Sequence, residues 1–124
     1  MNTPVPVPVN PLHKAGLIDR QWSPRVIAEL NDYQFKVVRI EGEFIWHDHP
    51  ETDEAFIVLD GTLRIDFEHG PVYVAPGELF VVPRGISHRT AAEGEARLLM
   101  IEPRGVLNTG HEGGERTATN DVWI

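Results

Sequence analysis

The chain has 124 residues, of which 19 are acidic and 11 basic, giving a formal net charge of −8, and it contains no cysteine. The absence of cysteine excludes disulfides, thiolate nucleophiles and cysteine-based metal sites, so any metal must be held by histidine and carboxylate. The negative charge, without any basic run, predicts that nucleic acid is not a partner, because its phosphates would be repelled.

The length favours one domain over residues 1–124, because domains of about 100 to 200 residues are usual. No apolar stretch approaches the roughly 18 residues needed to span a membrane. The N-terminus also lacks the basic and apolar regions of a secretory signal. We therefore expect no membrane partner and a cytoplasmic location.

The first predicted element is an extended N-terminal arm over residues 1–20. Proline alternates with valine up to residue 11, and a residue without an amide donor suits neither a helix interior nor a central strand. Such an arm is either a frayed tail or a segment that lies across another subunit. The next stretch, residues 23–30, could begin a helix at Ser23-Pro24, but its β-branched residues and the β-rich sequence that follows favour a strand.

From residue 33 onward the pattern is one of short β-rich runs separated by turn signals. The predicted strands are 34–40, 44–47, 54–59, 62–67, 71–74, 79–82 and 96–102. Asp60-Gly61 predicts a two-residue hairpin turn with positive φ at both positions. These runs predict an all-β, antiparallel fold, a jelly roll or small barrel. The Gly-rich and polar segment 103–124 predicts a C-terminal loop or tail.

Potential metal ligands crowd into one short segment. His47 and His49 are two residues apart, so on a strand they project from the same face. Pro50 ends that strand, and antiparallel pairing can return Glu54 beside the two histidines. His88, in a tight turn between two β runs, is the candidate for a third imidazole. Such ligands suit divalent Fe, Mn, Co, Ni or Zn and leave coordination positions open.

The spacing of these residues resembles the two sequence motifs of the cupin superfamily. The first motif is matched by Gly42, His47, His49, Glu54 and Gly61, and the second by Gly77, Pro83, Gly85 and His88. Two positions depart from the pattern: the spacer between Gly42 and His47 is one residue short, and Ala92 replaces an asparagine, which would leave a loop without its polar tie.

The resemblance implies a double-stranded β-helix barrel with a divalent transition metal in its mouth, held by His47, His49, Glu54 and His88. Because the family tolerates either spacing, Asp53 competes with Glu54 as the carboxylate ligand, and Glu54 is favoured. Asp53 would then bond loop amides or a ligand histidine. The remaining histidines, His13, His69 and His111, are interpreted as solvated.

Residues on the barrel wall would shape any substrate site. Strand parity assigns an inward direction to a set of apolar residues: Ile45, Phe56, Val58, Phe80, Val82 and Ile86. Most of these would line a β interior whether or not a ligand enters. Arg64, Arg89 and Arg104 are the candidate partners of an anionic substrate, with surface ion pairs as the alternative.

The function expected from this resemblance is a metalloenzyme acting on a small organic molecule, of dioxygenase, isomerase or lyase type, in which Glu54 or a neighbouring polar group passes protons. The main alternative is a small-molecule binding or sensing protein whose metal is structural and which turns nothing over. A metal-free scaffold is the third possibility. A homodimer is expected as well, because open sheet edges need covering.

Overall fold

The protein is described here by a computed structural model that covers residues 6–110 and 112–124. Within them the chain forms a short helix, α1 (Pro11–Gly16), and then strands. The strands are β1 (Arg25–Leu30), β2 (Tyr33–Glu43), β3 (Glu54–Asp60), β4 (Leu63–Phe67), β5 (Gly70–Val74), β6 (Leu79–Val82) and β7 (Arg89–Pro103).

Strand β7 is the central strand of an antiparallel sheet. The main path runs β1-β2-β7-β3-β6, and β4 pairs with both β5 and β7. One side of β7 pairs with β2 along its length, while the other side pairs with β4 near its start and with β3 near its end. One strand thus joins both halves of the barrel, and the predicted all-β jelly-roll fold is confirmed.

Alternation along the strands builds the core. In β2 and β7 the inward positions are mostly apolar, and Ile40 and Leu98 on these strands, with Leu63 and Ile65 on β4, are almost completely buried. Burying each such side chain stabilises the fold by roughly 1.5–3 kcal/mol. A second, smaller cluster lies beneath α1 and contains Ala15, Ile18, Ile27 and Val37.

The N-terminal arm differs from its prediction. It was expected to be extended over residues 1–20, whereas Pro11–Gly16 form α1. The side chain of Asn10 accepts a hydrogen bond from the His13 amide at 3.1 Å, and Pro11 occupies the first turn, where no amide donor is needed. The Asn-Pro pair is thus a helix start that the proline pattern obscured. Residues 1–5 lie outside the described residues.

Strand β1 confirms the interpretation of residues 23–30 as a strand.

The predicted hairpin at Asp60-Gly61 is wrong. Strands β3 and β4 do not pair with each other, and of the two residues only Gly61 has a positive φ, of 77°. A β-carbon on Gly61 would lie 2.6 Å from the Glu95 carbonyl oxygen. Glycine is required there by the close approach of β7 rather than by a hairpin.

Residues 44–47, expected to form a strand, do not. Strand β2 ends at Glu43, and His47 makes only an isolated antiparallel bridge with His88. The C-terminal segment is irregular, as predicted, until its last residues: the Val26 amide donates to the Val122 carbonyl at 2.8 Å, which covers the edge strand β1. No helix in the described part of the chain is long and apolar enough to cross a membrane.

Candidate metal centre

A pair of backbone hydrogen bonds fixes two of the predicted ligands side by side. The His47 amide donates to the His88 carbonyl and the His88 amide donates to the His47 carbonyl, each at 2.9 Å. The two ring centroids are consequently 4.5 Å apart. The turn before His88 is tied to the other histidine, because the Gly85 amide donates to the His49 carbonyl at 2.9 Å. The two sequence motifs therefore meet through their backbones.

Glu54 begins β3 and pairs there with Val82, next to the same turn. Its carboxylate joins the three imidazoles, and the ligand atoms of His47, His49, Glu54 and His88 all lie within 4.8 Å of one another in a buried cluster. Asp53 is not in this cluster. Its carboxylate is exposed and accepts a hydrogen bond from the Arg84 amide at 2.9 Å, so it bonds a loop amide.

Two of the rings are oriented by carbonyl oxygens. The Nδ1 atoms of His47 and His88 lie 2.9 Å from the carbonyl oxygens of Ile45 and Ile86, respectively. A carbonyl can only accept, so Nδ1 carries the proton in each ring. The lone pair of each ring therefore lies on Nε2, and this arrangement of a second contact that fixes the tautomer is typical of histidines that bind metals.

The cluster has the chemistry of an incomplete cation site. Among the described residues, no hydrogen-bond partner reaches His49 Nε2, His88 Nε2 or Glu54 Oε1, although each atom is buried. The distances from Glu54 to His49 and His88 are 3.5 and 3.6 Å, longer than good hydrogen bonds. Buried polar atoms without partners are costly, and a cation at their centre would satisfy all three. These residues fit a divalent metal.

The electrostatics of the cluster favour the protonation states that bind metal. Burial lowers the pKa of His47 to about 4, so its imidazole is neutral at physiological pH. Burial alone would raise the pKa of Glu54, but contact with the imidazoles of His49 and His88 outweighs it and holds that pKa below its usual range. A neutral imidazole and an ionised carboxylate are the forms that ligate metals.

A second buried polar group lies behind Glu54 and was not predicted. Lys36 and Glu102 form an ion pair at 2.9 Å, with both side chains almost completely buried. The Lys36 ammonium also donates to the Val106 carbonyl at 3.2 Å and to Asn120 Oδ1 at 3.3 Å. Burial and the negative charge of Glu54 raise the pKa of Glu102 well above its usual range, against the opposing effect of Lys36.

One signal in the sequence could have identified this pair. Lys36 has the same strand parity as Val38 and Ile40, and Glu102 the same parity as Leu98 and Met100. All of these apolar residues are buried in the core. A charged residue on the apolar face of a strand predicts a buried partner.

An aromatic pair forms one wall beside the ligands. Trp22 and Phe44 stack with centroids 4.8 Å apart, and Phe44 meets the His47 ring edge-on at 5.5 Å. Trp22 has a φ of 60°, a left-handed conformation that costs about 1–3 kcal/mol for a bulky residue. Its indole donates to the Glu41 carbonyl at 3.0 Å, which holds the ring in place.

The predicted wall residues are borne out in part. Phe56, Val58 and Val82 are buried, and Phe80 packs against the core. Ile45 is only partly buried, and its carbonyl rather than its side chain serves the site. Ile86, however, is 43% exposed, because it lies in the turn before His88 and not on a strand.

The predicted arginines are all engaged with carboxylates. Arg64 and Arg89 share Asp66 and Glu43, while Arg104 pairs with Glu29. The surface ion-pair interpretation therefore holds for them. His13 and His69 are exposed, as expected, and His111 lies outside the described residues.

The C-terminal segment packs against the loop that carries His49. A β-carbon on Gly110 would overlap the Asp48 carbonyl oxygen, so only glycine allows this approach.

Ala92 does not lie in a loop that lacks a polar tie, as was expected. It lies in β7, opposite the bulged Gly42, and is buried in the core. An alanine is therefore suited to that position.

Comparisons with known proteins agree with this geometry. A family model for the cupin domain matches residues 36–102. The uncharacterized protein YdbB of Bacillus subtilis is 42% identical over 65 residues, which are 52% of this chain and 58% of that protein. The chain thus spans little more than half the length of the curated relatives it matches.

Two solved structures share most of the fold. A cupin-2 domain containing protein from Shewanella frigidimarina is 50% identical, with a TM-score of 0.76, covering 77% of this chain and 94% of that one. Protein NMB1881 from Neisseria meningitidis is 30% identical, with a TM-score of 0.72, covering 78% and 99%. Together with the two motifs and the buried ligand cluster, these matches show that the chain belongs to the cupin family.

Proposed function

We propose that His47, His49, Glu54 and His88 hold one divalent transition metal, Fe, Mn, Co, Ni or Zn, and that the protein uses it to act on a small organic molecule. The observation that carries this proposal is the set of buried ligand atoms without partners around one centre. The ligands allow several metals, because imidazole and carboxylate suit all of them.

A metal in this site would polarise a bound oxygen or activate water or dioxygen, as a Lewis or redox centre does. The residues of the chain would bind the metal and keep its ligands in position. The carbonyls of Ile45 and Ile86 hold the rings, and the wall beside them is mostly apolar. Glu54 lies on that wall and is the residue proposed to move a proton, in a reaction of dioxygenase, isomerase or lyase type.

One observation favours the alternative of a binding or sensing protein without turnover. Among the described residues, the wall beside the metal centre contains no titratable side chain other than the ligands His47 and Glu54. An acid or base separate from the metal ligands is therefore not provided there. Small molecules extracted from the purified protein and identified by mass spectrometry would decide between the two: conversion of the compound by metal-loaded protein supports an enzyme, and unchanged compound supports a binder.

Metal binding itself is tested by reconstitution. Purified protein, stripped with a chelator and reloaded separately with Co²⁺, Zn²⁺, Mn²⁺, Ni²⁺ and anaerobic Fe²⁺, should retain about one equivalent of at least one metal per chain by elemental analysis. His49→Ala should lose it, whereas His69→Ala, which changes an exposed histidine outside the cluster, should keep it. Full metal content in His49→Ala would refute the site.

We also propose a homodimer, formed through the outer face of β6, the last strand on one side of the sheet. Leu79 and Val81 lie on the same face of this strand and are 65 and 47% exposed, and neighbouring exposed apolar side chains commonly mark association sites. Light scattering coupled to gel filtration tests this. Leu79→Lys should shift the protein to monomer, and a wild-type monomer at high concentration would contradict the proposal.

A further inference from the structure

A narrow cavity adjoins the ligand cluster. His47 and Glu54 form part of its wall, and its volume is about 30 Å³. That is room for only a few atoms, since a single water needs roughly 10–15 Å³ by the same measure. Most of the remaining wall is apolar and includes Ile40, Phe56 and Met100. The position of the cavity makes it the place where a molecule bound to the metal would extend.

Few polar groups reach this cavity apart from the ligands. Asn108 lines it, but its carboxamide is already used: Oδ1 accepts from the Ala118 amide at 2.9 Å and Nδ2 donates to the Arg116 carbonyl at 3.0 Å. Thr90 also lines the cavity and is buried, and no side-chain hydrogen bond joins its hydroxyl to any residue of 6–110 or 112–124. One hydroxyl is thus left for a ligand.

Charge restricts the ligand further. No lysine or arginine of the described residues lines the cavity. The guanidinium of Arg116 lies 5.4 and 4.9 Å from the Trp22 and Phe44 rings, so these rings, which belong to the wall, face it with their π systems. A second anionic group inside the cavity would therefore be buried without a partner, which is strongly unfavourable. A sugar would likewise lose more hydrogen bonds to water than one hydroxyl can replace.

The cavity is also held open by the fold. The left-handed backbone at Trp22, its indole hydrogen bond to Glu41 and its stack on Phe44 keep that wall from collapsing inward. A strained residue that shapes a wall beside a candidate metal centre is a sign of preorganisation for a ligand.

We propose that this cavity selects a short, mainly apolar organic molecule that binds the metal through an oxygen head group and carries at most one further polar group, placed near Thr90. Polycarboxylates, sugars and sugar phosphates are excluded as ligands of this site. The inference rests on the proposed metal centre and adds to it the class of molecule that the centre receives.

The test uses Co²⁺-loaded protein and a series of hydroxamates, which share one metal-binding head and differ in the body. Acetohydroxamate, butanohydroxamate, octanohydroxamate and succinic acid monohydroxamate are titrated, and dissociation constants are read from the visible spectrum of the bound Co²⁺. Succinic acid monohydroxamate is the matched control, because a carboxylate replaces the terminal methyl group of butanohydroxamate.

Butanohydroxamate should bind about tenfold more tightly than acetohydroxamate, since two methylene groups enter an apolar space. Succinic acid monohydroxamate should bind at least about tenfold more weakly than butanohydroxamate, because its second anion is unpaired. Octanohydroxamate should bind no more tightly than butanohydroxamate. Met100→Ala, which enlarges the cavity, should then favour the octanoyl body over the butanoyl body.

Equal affinities across the series, or tighter binding of the dianion, would overturn the inference while the metal centre stands. Failure of the protein to bind Co²⁺ at all would instead refute the metal centre, and the inference with it. The Co²⁺ spectrum before any hydroxamate is added separates these two results.

Discussion

Two buried polar clusters lie side by side around Glu54, and they differ in whether the chain supplies a cation. The Lys36 ammonium has three acceptors within 3.3 Å, all supplied by the chain, although Glu102 Oε2 has no hydrogen-bond partner among the described residues. In the ligand cluster, by contrast, His49, His88 and Glu54 direct buried atoms at a shared centre without a hydrogen-bond partner among the described residues. Both clusters are equally buried, so burial alone does not distinguish them.

The difference teaches how structural and functional polar groups can be told apart. A buried charge whose partners come from the fold contributes to a unique arrangement, and removing one partner damages the fold. Buried ligand atoms left without partners cost stability until something outside the chain supplies them. The comparison therefore predicts that substitutions of Lys36 or Glu102 lower the stability of the fold. Substitutions in the cluster of His47, His49 and His88 should instead lower the affinity for metal.

The largest effect is expected from breaking the cluster that contains Lys36. Lys36→Met should lower the free energy of unfolding of the metal-free protein by about 3–5 kcal/mol, because the buried acceptors on Glu102, Val106 and Asn120 lose their shared donor. Urea denaturation measures it. The double variant Lys36→Met/Glu102→Met should recover most of the loss, and a single-variant loss below about 1 kcal/mol would contradict the structural role.

Acid should destabilise the ligand cluster in the metal-free protein. The pKa of His47 is about 4 in the fold and about 6.5 when unfolded, so the unfolded chain binds more protons between these values. The free energy of unfolding should therefore fall as pH drops from 6.5 to 4, by about 3 kcal/mol for this group. His47→Asn, which keeps a donor near Nδ1, should lose this part of the slope in urea titrations; an unchanged slope would argue against a buried neutral His47.

Adding metal should turn the destabilising contribution of the ligand cluster to the free energy of unfolding into a stabilising one. At a free Co²⁺ or Zn²⁺ concentration of about 100 times the dissociation constant, the free energy of unfolding should rise by about 2.7 kcal/mol. The measurement is thermal or urea unfolding with and without metal. Lys36→Met should still gain stability with metal, whereas His49→Ala should not; equal gains in both variants would erase the distinction between the clusters.

The smallest effect is expected at the neighbour of Glu54. Asp53→Asn should change metal affinity by less than about 0.5 kcal/mol, because the Asp53 carboxylate is exposed and bonds the Arg84 amide. Glu54→Gln, the same chemical change one residue later, should abolish tight binding. Competition with a chromophoric chelator compares the two, and a larger loss in Asp53→Asn would reverse the assignment of the carboxylate ligand.

The grouping of His47, His49, Glu54 and His88 in one buried cluster could be predicted from the sequence, because these residues lie in two short segments with restrictive spacing. His47 and His49 share a segment with Glu54, and His88 follows a turn whose glycine needs a positive φ, of 76° at Gly85. Local geometry limits what such residues can do. The choice between Asp53 and Glu54 was harder, because it depends on which face of β3 turns inward.

Other features depended on strand pairing, which no local pattern contains. Lys36 and Glu102 meet because β2 and β7 pair in one register, and Gly61 is needed by its approach to β7 rather than by a turn between β3 and β4. The Trp22 wall was missed for a similar reason, since its backbone conformation comes from tertiary contacts. These features could not be predicted because they depend on which distant strands pair and in which register, and residue type alone does not contain that information.

The backbone bridge between His47 and His88 also bears on the order of events during folding. The two bridged residues are distant in the chain, and contacts of this kind form slowly because a long loop must close first. We therefore expect the four clustered residues to come together late in folding, once β7 has paired with β2, β3 and β4. In a chain that folds in this order, the metal that we propose would bind to an already folded site, and its identity would depend on which metals the surroundings offer.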